Sequence, residues 1–530
     1  MRLVRKGQLV GLLFLFLICI SCGDVYRPTI IPQPVPTPDP KNAHSTFAVN
    51  QNGTFSAGTG MQVNVSGDSA AGVTNVAILP VHATLLGSKV WVANQGADSV
   101  SAFTVSAGSG TGTATNVNLA TGAAPSFVES TEPTTMYVAN SGTNTVNAIS
   151  TVSNAITDTI PVGIHPIAMV ETPNNAATTG LTKKLFVVNS GSGEVKVINV
   201  GDKTVIASIP VGASPRWAAY RSDGARVYVL SHDVGTLTAL DALAPSCTPA
   251  NNNCVVTTTA VGAGADFLYY DSRRNHLYIP NPTTGRVAIY DASNDALPLL
   301  ANIDLTAAIP GGGGTPCPAT GCTPVSVTAL PDGTRAYIAS FYIDNTSANC
   351  QQTACLQAQV TVVDELTNQV TKAIPMPQVS VSPVADCAAA RFRISAATAI
   401  DSSRVYVSSC DASGVWTINT SGDSYFAFVP APGSAFAPTL VNITAATQNG
   451  TDTTFTFTYD PNSGTPLLLG TLVTVTNISV AADKGTFAVT GIGNGTFTVS
   501  NPAGQSTTGE NATGLGQPPR QNPVFMLTGS

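Results

Sequence analysis

The stretch KLFVVNSGSGEVKVINVGDKTVIASIPVGASP, residues 184–215, contains three segments rich in alternating apolar and polar residues. These segments are KLFVVN, EVKVIN and TVIASIPVG, and short runs of Gly, Ser, Asp and Lys separate them. A period of two predicts β-strands, and the polar runs predict tight turns. The stretch therefore predicts a small antiparallel sheet, followed by a Pro-led segment that begins another unit.

The aromatic residue of KLFVVN marks a repeat along the chain. An aromatic residue followed by Val or Ile, usually after Lys or Arg, recurs seven times, at Trp91, Tyr137, Phe186, Tyr228, Tyr278, Tyr337 and Tyr406. The spacings are 46, 49, 42, 50, 59 and 69 residues, and most copies continue with two alternating segments and a Pro-led one. Four short strands in each period are typical of a β-propeller blade. Seven copies predict seven blades, which stack around an axis because a single blade cannot bury both faces.

The residues of the best-matching copies also resemble a known repeat. Phe186 to Asn189, with Ile209 to Gly212 downstream, resembles the YVTN family of β-propeller repeats, as do Tyr137 to Asn140 and Ile160 to Gly163. The resemblance covers about residues 75–430, and the last three copies depart from it through insertions. The resemblance implies a seven-bladed propeller. Members of this family are commonly extracytoplasmic, have a range of surface-binding roles and are related to lactonase-like enzymes. The resemblance implies no catalytic residue.

Composition and the remaining segments complete the expected organisation, which is all-β: a seven-bladed β-propeller followed by a small β-sandwich-like domain. Charged residues make up 10% of the chain and aromatic residues 6%, while Gly (47) and Pro (36) are plentiful. After Pro430 the repeat stops, and several short alternating segments separated by Gly, Asn or Asp follow. The expected parts are a lipoprotein signal peptide at 1–21, a Pro-rich stalk at 22–45, the propeller at 46–430, a linker at 431–436 and the β-sandwich-like domain at 437–530.

The N-terminal residues predict export and lipidation. A basic start precedes an apolar run from Leu9 to Ile20, which is too short to span a bilayer comfortably and is typical of a signal peptide. The sequence Cys19-Ile20-Ser21-Cys22 resembles the bacterial lipobox, and this resemblance implies that Cys22 becomes the lipidated N-terminus. The alternative is ordinary secretion, with Cys22 left in the mature chain. The Pro-rich run at 28–40 favours an extended polyproline II stalk.

Eight further cysteines fit an oxidising compartment. They are Cys247, Cys254, Cys317, Cys322, Cys350, Cys355, Cys387 and Cys410. We expect them to form disulfides, with the first six paired locally and Cys387 paired with Cys410, whereas a structural metal is the weaker alternative. These eight cysteines include no CxxC or Cys/His zinc spacing.

Propeller topology assigns each loop to one face of the ring. If strands A to D run outward from the axis, the D-to-A and B-to-C loops share one face, here called the upper face, and the other loops share the lower face. The long segments 306–323, 340–358 and 375–392 then lie on the upper face. Disulfides would stiffen these loops, either as a binding surface or only against proteolysis.

Five residues are candidate ligand contacts at the mouth of the channel: His165, Arg216, His232, Asp266 and Arg393. Histidines there could act as bases or bind a metal, and a ring of charges could hold an anionic ligand. Structural roles and ion pairs are the favoured alternatives. The sequence has no GxSxG, P-loop, HExxH or CxxCH motif, so no catalytic residue, metal or cofactor is predicted.

These observations predict a cell-envelope lipoprotein whose propeller is a binding scaffold, with its ligand contacted on the disulfide-linked upper face. A non-enzymatic role is favoured, and the alternative is a lactonase-like hydrolase with its site at the channel mouth. The predicted partners are the membrane, through the N-terminal lipid, and an envelope protein or glycan. The net charge of −7, without a Lys/Arg cluster beyond the leader, argues against nucleic acid. The predicted location is the outer membrane or cell surface; a purely structural envelope role is indistinguishable from the first hypothesis by sequence.

Overall fold

A computed structural model shows a chain that is almost wholly β-sheet over its described residues. The structure describes residues 45–53, 56–106, 110–173, 183–244, 254–346, 354–381, 387–432, 439–449, 454–460, 467, 472–517 and 521–528. The predicted signal peptide, Cys22 and all but the last residue of the predicted stalk lie outside these residues. No helix in the described part of the chain is long and apolar enough to cross a membrane.

Blades one to four contain the first sixteen strands. Their bounds are β1 (Ser45–Asn52), β2 (Ser56–Asn64), β3 (Ser69–Ile78), β4 (Pro80–Leu86), β5 (Lys89–Asn94), β6 (Ser99–Ser106), β7 (Gly110–Thr111), β8 (Thr115–Asn118), β9 (Pro125–Glu129), β10 (Thr135–Asn140), β11 (Thr145–Ser150), β12 (Ile156–Pro161), β13 (Pro166–Glu171), β14 (Lys184–Asn189), β15 (Glu194–Asn199) and β16 (Val205–Pro210). Blade two is β4-β5-β6, with β7 and β8 both paired to β6.

Blades five to eight repeat the same pattern. Their bounds are β17 (Pro215–Tyr220), β18 (Arg226–Ser231), β19 (Thr236–Asp241), β20 (Val255–Ala260), β21 (Tyr269–Asp271), β22 (His276–Asn281), β23 (Arg286–Asp291), β24 (Leu299–Asp304), β25 (Thr323–Ala329), β26 (Arg335–Asp344), β27 (Cys355–Asp364), β28 (Gln369–Pro375), β29 (Val379–Ser380), β30 (Ile394–Thr398), β31 (Arg404–Ser409), β32 (Gly414–Asn419) and β33 (Ser424–Pro430). In blade seven, β29 adds a fifth strand by pairing with β27.

A separate sheet follows blade eight, and the last strand returns to the ring. The strands are β34 (Thr439–Gln448), β35 (Thr454–Tyr459), β36 (Leu472–Thr476), β37 (Gly485–Ala488), β38 (Gly491–Gly493), β39 (Thr496–Ser500), β40 (Thr507–Gln517) and β41 (Asn522–Thr528). Strands β34 to β40 form one seven-stranded sheet in the order β37-β36-β40-β34-β35-β39-β38, where we had expected a sandwich. Contact between β37 and β39 curls this sheet around its own core, which includes Phe455, Phe457 and Phe497.

The propeller has eight blades, so the predicted count of seven is wrong. The additional blade is the first, in which β41 is the innermost strand, followed outward by β1, β2 and β3. The inner strands contact one another in the order β41, β4, β9, β13, β17, β21, β25, β30 and again β41, so the ring is closed. Joining the first and last strands of the chain within one blade removes the open edges that an unclosed ring would have.

The uncounted repeat is the sequence FAVN at Phe47 to Asn50, which matches WVAN at Trp91 to Asn94 position for position. Asn50 pairs with Pro523 of β41, as Asn94 pairs with Pro80 of β4. Its Pro-led inner strand lies at the far end of the chain, and this separation hides the blade from a search for consecutive segments.

The seven-stranded sheet is an insertion between blade eight and β41. Because β41 belongs to blade one, the separate domain that we expected at 437–530 ends before this strand. Both ends of the insertion meet at Ser413. Ala431 donates its backbone N–H to the Ser413 carbonyl at 2.9 Å, and Asn522 donates its side-chain amide to Ser413 Oγ at 3.2 Å. The insertion therefore leaves and re-enters the propeller at nearly the same place.

The opening stretch forms strands β14 to β16 of blade four and shows why the repeat folds this way. Asn189 ends β14 fully buried, and its side-chain amide donates to the carbonyl of Val187 at 2.9 Å. Gly193 closes the turn to β15 with φ at +67°, a conformation that side chains rarely adopt. A Cβ at this position would also meet the Gly212 carbonyl oxygen at 2.9 Å. The repeated Asn is thus part of the turn and not a ligand.

The repeated aromatic residues form the contacts between blades, and each is at most 1% exposed: Trp91, Tyr137, Phe186, Tyr228, Tyr278, Tyr337 and Tyr406. The basic residue that often precedes them joins neighbouring blades. Arg335 lies 2.6 Å from Asp423 of blade eight, and the hydroxyl of Tyr337 donates to the same carboxylate at 2.6 Å. Arg404 and Tyr406 bind Asp68 of blade one in the same way.

Blade six lacks this pairing. The buried hydroxyl of Tyr278 has no hydrogen-bond partner among the described residues. Neither does the carboxylate of Glu365, which lies in blade seven. Burial first, and then the charge of Asp271, raise the pKa of Glu365 to about 8. Tyr337 and Tyr278 thus occupy equivalent positions in neighbouring blades, and among the described residues only the hydroxyl of Tyr337 has a hydrogen-bond partner.

Candidate ligand-binding site

In blades one to five, a proline is the first or second residue of the inner strand and sets a common register around the channel. Each proline pairs with the residue three positions after the aromatic residue of the neighbouring strand: Pro80 with Asn94, Pro125 with Asn140, Pro166 with Asn189, Pro215 with Ser231 and Pro523 with Asn50. Two residues further on, each strand places a side chain at the same height. These side chains are His82, Phe127, Ala168, Trp217 and Phe525.

Four of these five side chains belong to one aromatic cluster. We define the aromatic layer as His82, Phe127, Trp217, Phe267, Phe392 and Phe525. His82 stacks on Phe127 with ring centroids 3.7 Å apart, and Phe525 lies 4.6 Å from His82. Trp217 contacts Phe127, Phe267 and Phe392 at 5.6, 5.0 and 5.6 Å. The layer therefore joins strands from opposite sides of the ring.

The disulfide-linked loop before β30 contributes further contacts across the channel. Arg391 in this loop reaches across the ring from blade eight to blades four and five. Its guanidinium donates to the carbonyls of Ile167 at 2.9 Å and Arg216 at 2.6 Å, and it lies 4.7 Å from the centre of the Trp217 ring. The disulfide Cys387–Cys410 ties the loop to blade eight. The channel is thus covered on its upper side.

Below the aromatic layer lies a cavity of about 810 Å³. The inner strands of blades one to six contribute its walls, and Pro173, Ser222 and Ser272 extend it to the A-to-B turns of the lower face. A volume of this size is within the range of small-molecule sites. Most lining side chains are apolar or aromatic, and the tyrosines Tyr220, Tyr269 and Tyr270 add hydroxyl groups.

Among the described residues that line the cavity, Glu129 is the only acidic one and none is Lys or Arg. Its carboxylate accepts no hydrogen bond from any described residue. Burial first, and then the charge of Glu171, raise the pKa of Glu129 to about 8. The side chain retains water access through the cavity although protein surrounds it.

Glu171 supports this acidic site from the neighbouring blade. It is fully buried, and its Oε2 accepts the backbone N–H of Thr131 at 2.6 Å. Its Oε1 has no hydrogen-bond partner among the described residues. Burial first, and then the charges of Glu129 and Glu171, raise the pKa of Tyr220 on the next blade. The lower part of the cavity therefore has Glu129 in its wall and Glu171 nearby.

His82 contributes a neutral ring to the layer. Its side chain is buried, and Nδ1 accepts a long hydrogen bond of 3.4 Å from the backbone N–H of Val128. Burial, and next the charge of Arg391, lower the pKa of His82 well below its usual value. His82 is consequently uncharged near neutral pH.

Three of the five predicted contacts meet at the upper mouth of the channel. Asp266 Oδ1 lies 3.7 Å from Arg216 Nε and 3.8 Å from His232 Nε2. His232 Nδ1 lies 2.6 Å from Asp233 Oδ1. These side chains keep considerable solvent exposure, with 39% for Arg216 and 49% for Asp266, so the group is a loose surface cluster.

The other two predicted contacts lie elsewhere and have structural partners. His165 precedes Pro166 and has a φ of +57°. Leu79 and Ala124, which precede Pro80 and Pro125 in blades two and three, have similar φ values of +51° and +44°. Its Nδ1 lies 2.8 Å from Ser190 Oγ. Arg393 forms two hydrogen bonds with the buried carboxylate of Asp411, at 2.7 and 3.0 Å. The structure therefore does not bring these two residues to the mouth cluster.

The described disulfides agree with the predicted pairing. Cys317 pairs with Cys322, and Cys387 pairs with Cys410. Cys254 and Cys355 are also disulfide-bonded. Cys247 and Cys350, their predicted partners, lie outside the described residues. In the described part of the chain, no group of three or more His, Cys, Asp or Glu side chains could hold a metal ion.

Comparison with known proteins supports the fold and goes no further. No family model matches the chain, and no curated protein matches it either. The chain is similar to the solved structure of dihydro-heme d1 dehydrogenase NirN in complex with DHE, with a TM-score of 0.51 and 11% identity over 74% of each chain. The present chain is a β-propeller. The resemblance to YVTN repeats has no matching family model to confirm it.

Two further structures are similar at lower scores. A putative 6-phosphogluconolactonase from Bacteroides fragilis NCTC 9343 has 12% identity and a TM-score of 0.43, over 74% of this chain and 97% of that one. Kuenenia stuttgartiensis hydrazine synthase has 16% identity and a TM-score of 0.42, over 58% of this chain and 86% of that one. Neither likeness carries an argument about activity.

Sequence reasoning missed the aromatic layer and Glu129, although part of the signal was present. The Pro-led segments PVH, PSF, PRW and PVF, which begin at residues 80, 125, 215 and 523, each carry a ring two positions after the proline. Glu129 ends the segment PSFVE, but nothing in its immediate neighbours marks it as lining a cavity.

Proposed function

We propose that this protein is a cell-envelope lipoprotein whose propeller is a binding scaffold, and that it holds a small ligand in the central channel. The cavity below the aromatic layer carries this proposal. It combines a mostly apolar wall with a few polar groups, which is the usual composition of ligand sites. The covered upper side leaves the lower face as the route of entry.

The channel is better supported as the ligand site than the upper mouth. The disulfide-linked loop that we expected to contact ligand uses Arg391 and Phe392 for internal contacts, since both side chains join the closure of the channel. Contact with an envelope protein or glycan through the other upper loops stays a prediction, which recovery of partners from envelope fractions tests.

A cavity-filling variant tests the channel directly. Ala219 lines the cavity, and Ala219→Trp places an indole in the space that a ligand would use. Small molecules that raise the melting temperature of the mature protein should lose this effect with Ala219→Trp. They should keep it with Val152→Trp, since Val152 is 85% exposed. Equal stabilisation of both variants would show that the ligand binds outside the channel.

The lipoprotein part of the proposal rests on the leader and on Cys22, and disulfides fit an oxidising compartment. Replacing Cys22 with Ser should move the protein from the membrane fraction to the soluble envelope fraction. Membrane association that survives Cys22→Ser would remove lipidation from the account.

A lactonase-like hydrolase is the second candidate, and the meeting of Arg216, His232 and Asp266 is the observation that favours it. A base held by a carboxylate is one element of a hydrolytic site. Turnover of a simple lactone such as δ-valerolactone that disappears in His232→Ala would support this candidate. Absence of turnover by the mature protein, or turnover that His232→Ala leaves unchanged, would remove it.

A further inference from the structure

We infer that the channel cavity binds an organic amine, with its ammonium group at Glu129 and a ring-bearing apolar body against the aromatic layer. This inference rests on the proposed channel site and names the chemical class of its ligand. The supporting observations are the single acidic side chain among the described lining residues, the unused acceptors at the lower end and the aromatic upper wall.

The lining selects for positive charge. Glu129 is the only acidic side chain among the described lining residues, and the ring of His82 is neutral. Two basic residues of the blades and loops are engaged by other partners. Arg391 donates to carbonyls above the aromatic layer, and Lys183 forms an ion pair with Glu132 at 2.5 Å. An anionic ligand would therefore find no cation among the described lining residues, whereas a cationic ligand would find an acidic side chain whose ionisation its own charge favours.

Two acidic side chains at the lower end have unused hydrogen-bond acceptors, and Glu129 is the one that lines the cavity. No described residue donates a hydrogen bond to the Glu129 side chain. In Glu171, Oε2 accepts the backbone N–H of Thr131, but Oε1 is buried without a partner among the described residues. The charge of Glu171 acts on Glu129 and on Tyr220, so the three groups lie near one another at the lower end. Buried acceptors are rarely left unpaired, and an ammonium group brings three donors and a compensating charge.

The other end of the cavity suits a ring. His82, Phe127, Trp217 and Phe525 all line the cavity from above. Aromatic side chains in such a wall favour stacked or edge contacts with a ligand ring. Since Glu129 lies two residues after Phe127 on the same strand, the acidic group and the aromatic wall are within the span of one small molecule.

Three isosteric probes separate charge from shape. Tryptamine, tryptophol and indole-3-acetate carry an ammonium, a hydroxyl and a carboxylate on the same indole. Isothermal titration calorimetry of the mature protein should rank tryptamine first and indole-3-acetate last. Glu129→Gln should weaken tryptamine about 10- to 100-fold, the range for losing a charged hydrogen bond, and change tryptophol by no more than about threefold. Glu194→Gln, outside the cavity, is the matched control and should leave all three affinities unchanged.

Each outcome decides the inference. Equal affinities for tryptamine and tryptophol, or a Glu129→Gln variant that still binds tryptamine fully, would overturn the amine class. If both probes nevertheless lose affinity in Ala219→Trp, the channel site stands without the amine preference. If no probe binds, the inference is overturned, and the melting-temperature comparison of Ala219→Trp and Val152→Trp separately decides the channel site.

Discussion

Replacing Glu129 with Gln should make the protein more stable at pH 8.5 and have little effect at pH 4.5. The pKa of Glu129 rises from 4.5 to about 8 on folding, so between these values the folded state holds a proton that the unfolded state has released. The free energy of unfolding of the wild type therefore falls as pH rises through this window. Glutamine keeps the shape and removes the titration.

The shift sets an upper bound on the effect. At about 1.4 kcal/mol for each pH unit, the full shift corresponds to about 5 kcal/mol. Water in the cavity screens the carboxylate, so we expect the stability advantage of Glu129→Gln to grow by about 2 to 4 kcal/mol between pH 4.5 and 8.5. A domain of ordinary size gains about 2–4 °C for each kcal/mol, and a chain of this length gains less.

Differential scanning calorimetry of both proteins at a fixed scan rate across this pH range measures the effect. Glu194→Gln is an informative control because its shift has the opposite sign. Burial opposes ionisation there, but hydrogen bonds from Ser208 and Lys196 outweigh it and lower the pKa of Glu194. The Glu194 variant should therefore be less stable than wild type at neutral pH and approach it as pH falls below about 4. A gap between wild type and Glu129→Gln that does not change with pH would refute the argument.

Three other predictions concern the ring. Tyr337→Phe removes a hydrogen bond to a carboxylate and should cost about 1–3 kcal/mol, whereas Tyr278→Phe removes an unpartnered buried hydroxyl and should be neutral or stabilising; equal losses in calorimetry would contradict the assigned contacts. Cys387→Ser should lower the free energy of unfolding by about 3 kcal/mol, and reductant should then lower the melting temperature of this variant less than that of the wild type. An unchanged melting temperature would show that the loop does not need the disulfide. Replacing 433–520 with a short Gly/Ser linker should leave a folded, cooperative propeller, whereas deleting 521–530 should yield protein that aggregates or unfolds; survival of the second variant and loss of the first would contradict closure by the last strand.

The propeller class could be predicted because its signal is local and repeated. Each blade needs a buried ring between its neighbours and an alternating strand on either side, so residues such as Tyr137 and Phe186 recur at nearly regular spacing. The eighth blade was missed because its strands are almost five hundred residues apart. Pairing of Asn50 with Pro523 is a non-local contact that no local pattern encodes.

The cysteine pairing could also be predicted, because close cysteines on one face have few partners. What the loop does could not be predicted from the disulfide. Whether Arg391 and Phe392 turn inward depends on the width of an eight-bladed channel and on Trp217 across the ring. A ring of seven blades would have been narrower, and the sequence count pointed to that ring.

The candidate residues at the mouth illustrate how charge alone misleads. Exposed charges in turns are easy to find in a sequence, and Arg216, His232 and Asp266 do meet. The electrostatically unusual group is instead Glu129, at the end of a strand that looks like any other inner strand. Its pKa depends on burial and on a carboxylate of the next blade, both of which follow from the closed ring.

A crystal structure of the mature protein grown with tryptamine would test the central claim most directly. The account predicts eight blades with β41 paired to β1, and tryptamine below the aromatic layer with its nitrogen about 3 Å from a Glu129 carboxylate oxygen. Tryptamine bound only at the upper mouth or on the rim of the ring, with the channel filled by water, would contradict it.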